Sequence, residues 1–203
     1  FPEILHVEDV KVYSPLNYGS YEYYPLCLSE NSDDGIECEI RNISQELIFN
    51  GTYEYIPCLL RVSGYLNARI HNISVNMPDR GLSEVRPANL YIQGCLIRFS
   101  YLRDFTVSDI TVNIPRCWRC TAPAVGLHDC YSSNYVPGIE KDVRNITINL
   151  CEDEENAIGS PISYSDASNS GDDYVALFLE FDRTDGDIYA KVPVVDNITV
   201  NNP

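Results

Sequence analysis

Apolar and polar residues alternate one by one through six short phrases of this chain. In "VDNITVNNP" (Val195 to Pro203), Ile198 and Val200 fall on one face while Asn197, Thr199 and Asn201 fall on the other. That is the two-residue period of a half-buried strand. The other phrases are "VEDVKVYSP" (Val7 to Pro15), "IRNISQELI" (Ile40 to Ile48), "IHNISVNMP" (Ile70 to Pro78), "VSDITVNIP" (Val107 to Pro115) and "VRNITINLC" (Val143 to Cys151). Each places Asn or Asp third, at Asp9, Asn42, Asn72, Asp109, Asn145 and Asn197. Several close on proline, which ends a strand because it has no N–H to donate.

The repeat is longer than the phrase. "CLLRVSGYLNARIHNISVNMP" (Cys58 to Pro78) and "CLIRFSYLRDFTVSDITVNIP" (Cys95 to Pro115) have equal length and share Cys, Leu, Arg, Ser, Ile, Val, Asn and Pro in place. One supersecondary unit is therefore used more than once. Within it, "CLLRV", "CLIRF" and, near the end, "ALFLEF" (Ala176 to Phe181) supply a second apolar strand. A third short strand, "ARI" or "FTV", turns a corner at Asn72 or Asp109, residue types that tolerate the left-handed backbone a corner needs. No segment carries a convincing helical period.

Short strands, Asn/Asp corners and no connecting helices predict an all-β fold: a right-handed parallel β-helix of about six coils with long loops, forming one domain over residues 1–203. At about 4.8 Å per coil it would be a rod of roughly 29 Å. A pair of antiparallel sandwiches is the rival architecture, but it explains the equal-length Cys-to-Pro repeat less well.

The phrases "HNISVNMP", "VRNITINL" and "VDNITVNNP" resemble coils of the pectin-lyase-like superfamily of right-handed parallel β-helices. The resemblance implies the fold, and it implies corner asparagines stacked in an inward hydrogen-bonded ladder. The sequons favour an outward orientation instead, because Ser or Thr stands two residues after Asn72, Asn145 and Asn197.

The formal charge of −16 disfavours nucleic acid and anionic membranes as partners, and no apolar run is long enough for a membrane helix. Sequons at Asn42, Asn50, Asn72, Asn145 and Asn197 are candidate glycosylation sites, with N-linked glycans the implied adducts. The eight cysteines, Cys27, Cys38, Cys58, Cys95, Cys117, Cys120, Cys130 and Cys151, form an even set suited to disulfides. Together they point to the secretory pathway and an extracellular or cell-surface location. Cys58 and Cys95 occupy equivalent places in neighbouring repeats and are expected to bond. Cys27–Cys38 would close the "LSENSDDGIE" loop, leaving Cys117, Cys120, Cys130 and Cys151 three possible arrangements. "CWRC" with His128 and Cys130 offers zinc ligation as the alternative.

Candidate chemistry is sparse. "SGDDYVAL", with Asp172 and Asp173, is similar to the Gly-Asp-Asp-Cys-Val-Ala-Ile segment of polygalacturonases, and "NSDDGIE", with Asp33 and Asp34, to their Asn-Thr-Asp-Gly-Ile-Asp segment. Inverting glycosidases hold two carboxyls within about 10 Å. Here the stretches are some four coils apart, near 20 Å by stacking distance, the expected His-Gly is only "LHD" at His128, and Arg-Ile-Lys is missing. The carboxylates read as solvated loop acids, which favours a non-enzyme while leaving the enzyme reading open. No cofactor is implied. The acidic stretches "CEDEENAIGS" and "DRTDGDIY" would suit calcium chemically but match no recognised loop spacing. The tyrosines of "NYGSYEYYP" read as cover for the side of the fold.

The chain begins on Phe-Pro and shows no cap at either end, which reads as a processed or excised piece of something longer. A solenoid end leaves unpaired backbone groups. The expected function is an extracellular, N-glycosylated structural module of a filament, stalk or appendage, its ends stacked on copies of itself or on adjacent domains. The alternative is a carbohydrate-active β-helix.

Overall fold

The computed structural model describes residues 4–15, 26–30, 36–48, 55–56, 58–76, 91–92, 96–114, 119–120, 124–131, 142–150, 177–182 and 193–201. Among these, every regular element is a strand and the strands pair in parallel. The strands form three sheets.

The largest sheet contains β1 (Ile4–Glu8), β2 (Lys11–Pro15), β4 (Glu37–Ile48), β7 (Leu66–Asn76), β10 (Thr106–Ile114), β13 (Asp142–Leu150) and β15 (Val194–Asn201). Its order is β1-β4-β7-β10-β13-β15, with β2 beside the second half of β4. A second sheet runs β14 (Leu177–Asp182), β12 (Val125–Tyr131), β9 (Ile97–Ser100), β6 (Leu60–Ser63) and β3 (Leu26–Ser29). The third is made of two-residue strands, β11 (Arg119–Cys120), β8 (Tyr91–Ile92) and β5 (Tyr55–Ile56). From β3 to β13 the chain visits the second, first and third sheets in strict rotation.

The register is the one that aligning the phrases predicts. Ile43, Ile73, Ile110, Ile146 and Ile198 face one another across successive strands, as do Ile40, Ile70, Val107, Val143 and Val195. Leu60 pairs with Ile97 and Val62 with Phe99, so the Cys58 and Cys95 repeats superpose without a shift. "ARI" and "FTV" are not separate strands: β7 and β10 run through the corner.

The corner is visible in the burial pattern. In β7, Ala68, Ile70, Ile73 and Val75 point inward, an interval of two, then three, then two. The extra residue is Asn72, whose φ of 57° turns the strand so that both halves keep their aliphatics inside. Asp9, Asn42, Asp109, Asn145 and Asn197 take φ between 52° and 58° at the same place. A second left-handed corner joins β6 to β7, at Gly64 and at Asn67 just inside β7, and recurs between β9 and β10 at Tyr101 and Asp104. Gly64 is required there by space as well, since a Cβ would meet the Glu30 carbonyl oxygen at 2.0 Å.

The inward rows of the two large sheets make one core, in which Ile40, Ile70, Leu60, Ile97, Phe99, Val107 and Ile146 are fully buried. Burial of this area supplies the driving force, and parallel pairing explains why the buried positions are aliphatic and β-branched.

The cysteine expectations meet the structure unevenly. Cys27 and Cys38 are free thiols, the first exposed and the second buried, so the bond expected between them is not formed. The two side chains are oriented differently: Cys27 is exposed on β3 between the core-packed Leu26 and Leu28, whereas Cys38 on β4 is buried in the core. Burial pushes the Cys38 thiol up to about 12. Cys58 is buried, its Sγ 3.0 Å from the Leu60 carbonyl oxygen. Cys95, Cys117 and Cys151, and the side chain of Cys120, lie outside the described residues.

Candidate functional site: the outer face of the large sheet

The outward positions of the large sheet divide at the corner. Before it, many side chains are charged, and they pair both across strands (Arg41 with Glu8, His6 with Glu39) and within one strand (Arg41 with Glu39, Arg144 with Asp142). Arg41 holds Glu8 at 2.6 Å and Glu39 at 3.7 Å, His6 Nδ1 lies 3.3 Å from Glu39, and Arg144 Nε lies 3.2 Å from Asp142. These pairs are mostly solvent-exposed and contribute little stability.

At the corner the side chains form a ladder. Asn42 Nδ2 donates to Asp9 Oδ1 (2.7 Å), and Asn72 Nδ2 donates to Asn42 Oδ1 (2.6 Å). Asn145 Nδ2 donates to Asp109 Oδ1 (2.8 Å), and Asn197 Nδ2 donates to Asn145 Oδ1 (2.7 Å). Each bond runs from the later strand back to the earlier one. An ionised carboxylate has no hydrogen to hand on, so the row starts at Asp9 and starts again at Asp109. Asp109 also accepts from Ser108 Oγ at 2.8 Å. The bond from Asn145 is the largest influence holding its carboxyl below the usual 3.8; partial burial opposes it, and Ser108, Arg144 and His71 assist.

A second ladder lies four residues on. Asn113 Nδ2 donates to Asn76 Oδ1, Asn149 to Asn113, and Asn201 to Asn149, each at 2.6 Å. Between the two ladders runs a row of hydroxyls: Ser44, Ser74, Thr111, Thr147 and Thr199 occupy one register position across five strands.

Of the sequon residues, Asn42, Asn72, Asn145 and Asn197 all stand in the corner ladder with Nδ2 engaged, Asn72 and Asn197 exposed and Asn42 and Asn145 partly buried. The structure therefore combines two features set against each other in the sequence: a ladder, but on the solvent side. It also gives the sequon spacing a mechanical origin. Asparagine suits the left-handed corner, and the residue two positions on falls in the hydroxyl row. Asn50 lies outside the described residues, as do Asp33, Asp34, Asp172, Asp173, most of "DRTDGDIY", and the "CEDEENAIGS" and "NYGSYEYYP" stretches. His128 packs its ring on Phe178, centroids 4.8 Å apart. Among the described residues no group of three or more His, Cys, Asp or Glu side chains is placed to hold a metal.

Sequence reasoning missed the second ladder and the hydroxyl row. Their signal was present as the recurring Asn four residues after the corner, in "NMP", "NIP", "NLC" and "NNP". Comparison with protein-family models, curated proteins and solved structures found no match to this chain.

Proposed function

We propose that the three sheets are the walls of one right-handed parallel β-helix of about six turns, and that the protein is a structural module of an extracellular filament, stalk or appendage, joined to its neighbours through the ends of the helix. The winding is supported by the rotation of consecutive strands among the sheets and by the preference of parallel crossovers for one hand. It carries the pectin-lyase-like resemblance as a statement about architecture, not catalysis.

The assembly reading is carried by β15. Val195 and Val200 stand in register with Val143 and Ile148, which are fully buried, yet each is 44% exposed, and Val194 is 64% exposed. Asn197 and Asn201 head their rows with the side-chain oxygen that in the earlier rungs, except at Asn72 beside Asp109, accepts from the next strand. A parallel strand with aliphatics in register and amides at the ladder positions completes both patterns. A further turn of the same polypeptide and a second copy offer that one chemistry.

Sedimentation velocity with negative-stain imaging tests this. Concentration-dependent rods are expected, shortened or lost in Val195→Asp and Val200→Asp. Particles that stay one helix long at every concentration, in a polypeptide with nothing stacked on β15, would contradict it.

A further inference from the structure

The outer face beyond the corner differs from the rest of the molecule. The chain carries a net −16, and the half of the same sheet before the corner is built from Glu8, Glu39, Arg41, Arg69 and Arg144. Yet the two rows after the corner from β7 to β15, Ser74, Thr111, Thr147 and Thr199 beside Asn76, Asn113, Asn149 and Asn201, hold no charged or aromatic residue. Asparagine is depleted in strands, yet it recurs on four consecutive ones here.

The array is periodic in two directions and stiff. Rows repeat about 4.8 Å across the strands and about 6.7 Å along them. The asparagines are fixed by their 2.6 Å ladder bonds, and threonine has a restricted χ1, so little side-chain entropy is lost when the face is covered. Asn113 and Asn149 each spend one N–H and one lone pair within the row, whereas Asn76 only accepts and Asn201 only donates. That leaves each central amide a second N–H and a second lone pair, and the hydroxyls occupy the outward positions beside them, partly exposed on the central strands and exposed at Thr199.

We propose that this face adsorbs to ice. In a tetrahedral water network with O···O near 2.8 Å, two oxygens sharing a neighbour lie about 4.6 Å apart, close to the strand repeat. Every amide and hydroxyl of the face carries both donor and acceptor capacity, as water does, so ordered waters can bridge protein and crystal without a mismatch in sign. Absence of charge matters because an ionic group would have to surrender its hydration to a neutral crystal. A soluble polysaccharide is the less suited partner, since sugar sites commonly add aromatic stacking and these rows supply none. The inference does not depend on end-to-end assembly.

The test uses the full chain made without glycosylation, and a growing ice hemisphere as probe, with thermal hysteresis read in parallel. The protein is expected to enter the ice and shape crystals. Thr111→Tyr and Thr147→Tyr, outward substitutions on central strands, are expected to lower incorporation at least tenfold. Thr199→Lys, on the outermost strand, is a second disrupting variant whose position tolerates change, and Arg69→Gln, on the charged half, is expected to bind like the parent. Circular dichroism verifies that each variant folds. Exclusion of the parent protein from ice, or equal incorporation of folded Thr147→Tyr and Thr199→Lys, would overturn the proposal. So would retention on microcrystalline cellulose or chitin, lost in those same variants, without entry into ice.

Discussion

Asn145 Nδ2 lies 2.8 Å from Asp109 Oδ1, although the two residues are 36 positions apart in the chain. The bond joins equivalent corners on adjacent strands and starts the second half of the ladder. Because it favours the charged carboxylate, Asp109 binds its proton less readily in the folded state than in the unfolded one. Its contribution to stability is therefore full above the ordinary value of 3.8 and is lost as pH falls through its lower folded value. Asp109→Asn supplies a donor toward Asn72 and removes the titration. Stability at pH 7 is expected to change by no more than about 1 kcal/mol, while the acid limb of unfolding becomes flatter. Chemical denaturation between pH 2 and 7 reads both, and an unchanged acid limb would remove Asp109 from the account.

The corner residues serve the backbone and the ladder separately, and two substitutions divide these roles. Asn145→Gly keeps the left-handed corner and deletes one donated and one accepted bond, an expected cost of about 1–3 kcal/mol. Asn145→Ala deletes the same bonds and adds the strain of a φ of 55°, about 1 kcal/mol more. Equal losses in urea melts would mean that the corner costs alanine nothing.

Gly64 is confined more tightly. Its φ is +83° and a Cβ there would meet backbone, the Glu30 carbonyl oxygen, at 2.0 Å. Gly64→Ala is expected to cost more than about 3 kcal/mol, visible as a lowered midpoint in thermal unfolding.

The thiols should react in two classes. Cys27 is exposed and is expected to label in the native protein, whereas Cys38 is buried and held as the neutral thiol, labelling only on unfolding. The same burial has a pH signature. Cys38 and Tyr65 are both raised to about 12, burial being the largest cause for each. Their contribution is present below the ordinary values of 9.0 and 10.0 and is lost as pH rises toward 12. Mass-resolved alkylation and an alkaline denaturation series check the two statements.

Much of the large sheet was legible because its cause is local. A repeated phrase with Ile at the fourth position fixes which residues face each other, and Ile73, Ile110 and Ile146 do so. The corners were legible because few side chains tolerate φ near 57°, and Asn72 and Asp109 belong to those that do. The apolar runs after Cys58 and Cys95 became β6 and β9, while "ALFLEF" became β14, shifted by one residue. The two-residue strands β5, β8 and β11 left no pattern, since Tyr55–Ile56 is too short for a period to show. The Cys27–Cys38 loop was read from sequence nearness alone, which does not show that one side chain is exposed and the other buried. The outer lattice was hidden by a stronger reading of the same letters: "NIT" signals a glycosylation acceptor, and the second asparagine went unread.

Methyl–methyl nuclear Overhauser contacts from Ile110 and Val112 test the central claim, that the phrases lie parallel and in register, most directly. Parallel stacking places Ile110 against both Ile73 and Ile146, and Val112 against both Val75 and Ile148. Those four contacts are the predicted result. Cross-peaks running in the opposite sense, with Ile110 near Val75 or Ile148 and Val112 near Ile73 or Ile146 instead, would contradict it.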